Sequence, residues 1–157
     1  MSVTRALSII LLAGFLMSVG SPRAMANGEV VQQRKNGMRE FSEAVKGIRA
    51  AVAKKDCATI AGKAKQIVDN LEPGSFAKLW PRDTTGGKSR ARAEIWQNWD
   101  DFMAQAWDTR QNALALVAAA ESKDSGKLTE AFKAFAPRKS NQSCGDSCHR
   151  PYRARRR

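Results

Sequence analysis

The chain is poor in the residues that build most site chemistry, with one histidine, one tyrosine and three cysteines in 157 residues. With a single imidazole, any iron held through nitrogen is held at His149. Cys144, Cys148 and His149 supply three ligands where zinc needs about four, and Cys57 is the only other thiol. No grouping of acid, base and nucleophile stands out, so an enzyme is not expected. Strand alternation, internal repeats and low-complexity stretches are absent from the pattern. The long apolar run, Ala6 to Val19, is shorter than the roughly 20 residues that span a bilayer.

That run is better explained as a leader. Arg5 precedes it, and Ala24-Met25-Ala26 fits the small-x-small pattern of a cleavage site. Residues 1–26 are therefore expected to be a signal peptide, and residues 27–157 one exported domain in the periplasm with one core. Arg5 and Arg23 leave with the signal, so 25 basic residues face 15 acidic ones, a net charge of about +10. Such a charge suits an acidic partner protein or an anionic membrane surface. Nucleic acid is not expected as a partner of an exported chain.

The run Ser-Cys-Gly-Asp-Ser-Cys-His, ending at His149, is a near match to the Cys-x-x-Cys-His motif of covalent c-type haem attachment. Two cysteines form thioethers to the porphyrin and the adjacent imidazole supplies the proximal iron ligand. Here three residues separate Cys144 from Cys148 instead of two. On a helix of about 3.6 residues per turn both spacings keep the sulfurs on one face. The longer one turns Cys144 by roughly 100°, so the segment is expected to deviate from regular helix, with Gly145 able to absorb the change. A disulfide, a zinc site and a redox thiol pair are the competing readings of the cluster.

Elsewhere the periodicity is helical. Val31, Arg34, Met38, Phe41, Val45, Ile48 and Val52 form one stripe on a helix from about Glu29 to Ala53. Asp56 caps a second helix carrying Cys57, Ile60, Ala64, Ile67 and Leu71, which Pro73 and Gly74 end. An irregular connection from Glu72 to Lys88 leads to a third helix, Arg90 to Lys123, with Ile95, Trp99, Phe102, Ala106, Ala113, Leu116 and Ala120 toward the core. Leu128, Phe132 and Phe135 mark a fourth, interrupted at Pro137. The expected fold is all-α, an antiparallel four-helix bundle with a covalently bound haem.

Three fragments give this bundle a family likeness. Arg34-Lys35-Asn36-Gly37-Met38 places an arginine four residues before a methionine on the first helix. Leu79-Trp80-Pro81 and then Arg90-Ala91-Arg92-Ala93-Glu94-Ile95-Trp96 follow, and Cys148-His149-Arg150-Pro151-Tyr152-Arg153 closes the chain. In order and spacing the chain resembles the cytochrome c prime family, including its low-spin, methionine-ligated relatives.

The resemblance implies haem c as cofactor, with Cys144 and Cys148 as attachment points and His149 as an iron ligand. It implies that Arg34 pairs with a haem propionate, that Trp80 lies near the haem, and that Arg153 lies near its proximal face. Met38 is either a sixth ligand through sulfur or one more apolar residue on the core stripe. Ligation favours a monohaem single-electron carrier with a redox partner protein, and is the preferred expectation. Packing alone leaves a five-coordinate haem that binds nitric oxide or carbon monoxide. Cys57 is read as a small buried hydrophobe, with a disulfide to Cys144 as the alternative, and Trp96, Trp99 and Trp107 as core or interface aromatics. Arg150, Arg153, Arg155, Arg156 and Arg157 form either a solvated tail or a docking patch for an acidic redox partner, and the resemblance allows a homodimer on the first two helices. Mass spectrometry of the exported protein should show an N-terminus at Asn27 and the added mass of one haem. A chain that retains its leader, or carries no haem mass, contradicts this reading.

Overall fold

Two lysines and two aspartates shape the sharp turns of the molecule. Lys55 (φ 57°) and Lys123 (φ 55°) adopt the left-handed conformation and reverse the chain. Each is followed by an aspartate whose carboxylate caps the next helix. Asp56 accepts from the Thr59 amide at 3.0 Å, and Asp124 from the Gly126 and Lys127 amides at 2.8 and 3.0 Å.

The structure is a computed structural model that describes residues 22–82, 84–85, 88–136 and 148–155. Among them lie α1 (Pro22–Lys54), α2 (Cys57–Asn70), α3 (Pro73–Lys78), α4 (Glu94–Gln97), α5 (Trp99–Glu121), α6 (Ser125–Phe135) and the single turn α7 (Arg150–Tyr152). The four long helices α1, α2, α5 and α6 make the expected all-α bundle. α2 lies between α1 and α5, and α6 packs on α5. Among the described residues no extensive contact joins α1 to α6 or α7.

Several boundaries differ from the sequence expectation. α1 begins at Pro22, a residue suited to a first helical turn, rather than at Glu29. The connection after α2 is not wholly irregular. Glu72 accepts from the amides of Gly74 and Ser75 at 3.1 and 2.7 Å, and Pro73 opens α3 instead of only ending α2. The single helix expected over Arg90 to Lys123 is split, because Asn98 (φ −124°, ψ 49°) turns its side-chain amide back to the Glu94 carbonyl at 3.0 Å. α6 stops at Phe135, and Ala136, before Pro137, is non-helical. Pro137, Cys144, Gly145, Arg156 and Arg157, and residues 1–21, lie outside the described residues.

The core is built largely as read. Ile48, Ile60, Ile67, Ile95 and Leu116 are the largest fully buried side chains, with Ala64, Ala113 and Ala120 between them. The α1 stripe is largely as expected, with Phe41, Val45 and Val52 packed against the core. Its buried line is Arg34, Ala44, Ile48 and Ala51, while Met38 is 40% exposed. Trp96 and Trp99 pack against the core, but Trp107 is exposed. Cys57 also packs there, and among the described residues it has no disulfide partner.

Leu116 is wholly buried, so Leu116→Ala should lower unfolding free energy by roughly 2–5 kcal/mol through lost burial and the cavity it leaves. Chemical denaturation checks this. A loss below about 1 kcal/mol would mean that the site collapses or is not core.

Candidate functional site

Midway along α1 the bundle buries a cation. Arg34 is 5% exposed, and its guanidinium lies 4.6 Å from the centre of the Trp80 ring. One nitrogen, Nη2, donates to the Thr84 carbonyl at 2.9 Å. Thr84 is itself buried, and its hydroxyl donates to the Pro81 carbonyl at 2.7 Å. The other nitrogen, Nη1, is buried with no hydrogen-bond partner among the described residues. Burial pushes the Arg34 guanidinium down from its usual value.

Trp80 repeats the pattern. Its carbonyl accepts from Trp96 Nε1 at 2.8 Å, yet its own indole Nε1 is buried with no hydrogen-bond partner among the described residues. Two adjacent donors without acceptors are costly in a dry setting. Both residues also line a mostly apolar cleft with Met38, Phe41, Asn70, Leu71, Phe76 and Leu79. Its apolar walls and two free donors match a flat apolar group that carries a carboxylate.

The second half of the site comes from the end of the chain. Cys148 and His149 are wound as a π-type turn that leads into α7. Such a turn is wider than regular α-helix. The His149 imidazole is pushed below its ordinary value first by desolvation, then by the charges of Arg153 and Arg90. The turn is fixed from below by Tyr152, which is 5% exposed, donates to Asp101 Oδ2, and meets the Phe102 ring edge-on at 5.3 Å. Phe102 in turn lies 4.7 Å from Trp80, so an aromatic chain joins the turn to the cleft.

The structure thus groups Arg34, Met38 and Trp80 on one cleft, and Cys148, His149 and exposed Arg153 on one turn. Cys144 is not described. Three contributors escaped the sequence reading. Thr84 acts through its backbone, which leaves no side-chain signal. Asp101 sits on an exposed position of α5, and Arg90 Nε donates to the Ala154 carbonyl at 2.9 Å across the fold.

An apolar cleft with carboxylate-seeking donors, beside a Cys-His turn in an all-α bundle, defines a c-type haem protein. The sequence pattern of the Cytochrome C′ family matches residues 29–153. A cytochrome c′ of Rhodopseudomonas palustris is 34% identical over 106 residues, covering 63% of this chain and 70% of the relative. The crystal structure of cytochrome c′ from Thermochromatium tepidum, 25% identical, superposes with a TM-score of 0.69 over 82% of this chain and 97% of that one. A second cytochrome c′ structure, described as having an unusual ligand-controlled dimer dissociation, shares the fold at 24% identity, a TM-score of 0.69, and the same coverage of 82% and 97%. The chain belongs to the cytochrome c′ family, whose cofactor is covalently attached haem c with its iron.

Tyr152 is the only tyrosine, so phenolate absorbance reads it alone. Burial first, and then Asp101, raise its pKa from the ordinary 10.0 to about 12. The folded chain keeps this proton where the unfolded chain loses it. Its stabilisation is complete below pH 10 and is lost as pH rises toward about 12. Native protein should titrate near 12 and Asp101→Asn nearer 10. Native titration at the unfolded value would show that the phenol is not held as described.

Proposed function

We propose that this chain is a periplasmic haem protein whose five-coordinate iron takes His149 as its protein ligand and binds nitric oxide or carbon monoxide. In this reading residues 1–26 are the signal and residues 27–157 the haem domain. Membership of the cytochrome c′ family supports it. The observation that carries the choice of ligation is the match to the Cytochrome C′ family over residues 29–153. No described helix is long and apolar enough to cross a membrane.

The residues present divide the work. Cys148 and Cys144 would hold the haem covalently, and His149 would ligate its iron. Arg34 Nη1 and Trp80 Nε1 would donate to a propionate, which removes the desolvation penalty of two orphaned donors. When bound, the haem supplies an iron that takes up a neutral diatomic gas or a single electron. Phe41, Leu71, Phe76 and Leu79 line the α1 side with apolar surface, which excludes water and disfavours charged ligands. Arg153, exposed beside the turn, would sit near the proximal face. A homodimer, as in the relative with ligand-controlled dissociation, fits the same reading. No catalytic acid, base or nucleophile is assigned, and the protein is read as a binding and electron-accepting module rather than an enzyme.

The sequence favours a different ligation, with Met38 as sixth ligand and single-electron transfer as the function. Its specific support is that Met38 lines the same cleft as Arg34 and Trp80. Family membership weighs toward the open site. Absorption spectra of ferric and ferrous holoprotein, with and without carbon monoxide, separate the two. High-spin spectra in both wild type and Met38→Ala, with carbon monoxide bound by both, are expected. A low-spin spectrum with a sulfur-to-iron band that Met38→Ala abolishes would contradict the five-coordinate reading.

A further inference from the structure

The segment before α4 and the last residues of the chain are zipped together. Arg92 N donates to the Tyr152 carbonyl at 3.1 Å and Ala154 N to the Arg90 carbonyl at 2.9 Å, while Ala91 and Arg153 pair as an antiparallel bridge. This pairing gathers Lys88, Arg90, Arg92, Arg150, Arg153 and Arg155 around the His149 turn. Lys88, Arg150, Arg153 and Arg155 are exposed. Among the described residues, two acids of this region are engaged within the molecule, Glu94 with Arg92 and Asp101 with Tyr152. The basic tail is therefore one half of a surface whose other half comes from the crossover, where the sequence order gives no hint of it.

We propose that this surface docks an acidic protein that delivers one electron to the haem edge beside His149. The proposal rests on the haem reading above and adds the partner. Carbon monoxide requires ferrous iron, so a gas-binding haem needs a reductant, and a convergent cationic face raises the rate of encounter with an acidic one. The electron leaves the partner's reduced centre and converts ferric iron to ferrous, with no proton or group transferred. Five of the six cations are arginines, which clasp carboxylates in bidentate fashion. A membrane is the weaker occupant because the aromatic side chain of the patch, Tyr152, is 5% exposed, so the patch lacks an aromatic group to insert into lipid.

The test uses the holoprotein and, as probe, a purified acidic b-type cytochrome in its ferrous form. Lys88→Glu with Arg155→Glu reverses two charges on the patch. Lys54→Glu with Lys127→Glu makes the same change of net charge at the opposite end of the bundle. At low salt the patch pair should slow bimolecular reduction about tenfold or more and flatten its salt dependence, while the control pair changes the rate less than about twofold. Calorimetric binding of the ferric probe should weaken in parallel. Equal rates for both pairs, or no slowing, overturns the proposal. Loss of binding to phosphatidylglycerol vesicles with an unchanged rate toward the probe overturns it in favour of a membrane. Absence of covalent haem absorbance in the wild type would instead overturn the haem assignment on which the proposal stands.

Discussion

A buried guanidinium that is only half satisfied is the constraint on which this molecule turns. Arg34 lies against the Trp80 ring with Nη2 on the Thr84 carbonyl and Nη1 without a partner among the described residues. A cation in this position is tolerable only when its remaining hydrogens meet an acceptor, best a charged one. The crossover loop is folded around that need. Thr84 is buried, Trp80 packs tilted against Phe76 and edge-on to Phe102, and Trp96 is tied to the Trp80 carbonyl. In the proposed reading a haem propionate would meet the requirement, and the apolar lining beside it would meet the porphyrin.

The iron side is fixed by different means. The Cys148–His149 turn is too short to hold a position by itself, and its rigidity comes from neighbours. Tyr152 anchors it to α5 through Asp101 and Phe102, and the pairing with residues 90–92 ties its far end to the crossover. The aromatic chain through Phe102 makes the two halves of the site one packed unit. The same pairing concentrates positive charge around the imidazole, so fold closure and surface electrostatics share one cause.

Much of this was legible in the sequence because it depends on local rules. The 3.6-residue spacing of Ile60, Ala64, Ile67 and Leu71 located α2, and the Asp56 cap located its start. The Cys-His motif and the Arg34 to Met38 spacing named the cofactor and the residues that line its cleft. What escaped depends on contacts distant in sequence or on backbone groups. Asn98 breaks the third helix by a side-chain bond that periodicity does not register. Met38 fits the stripe by spacing, yet it faces the cleft and stays exposed, while the small Ala44 and Ala51 beside the stripe are buried. Thr84 and Asp101 contribute through a carbonyl and a cross-fold hydrogen bond, neither of which has a pattern to read.

The most direct test of the account is the effect of Arg34→Met on unfolding free energy, measured once in holoprotein and once in a haem-free form made by replacing Cys144 and Cys148 with alanine. With haem attached, the substitution removes the partner of a buried carboxylate and should destabilise by roughly 3–5 kcal/mol. Without haem, it removes an unsatisfied buried cation and should be neutral or stabilising. The same loss in both forms would contradict the account, because Arg34 would then serve the protein fold alone and not the cofactor.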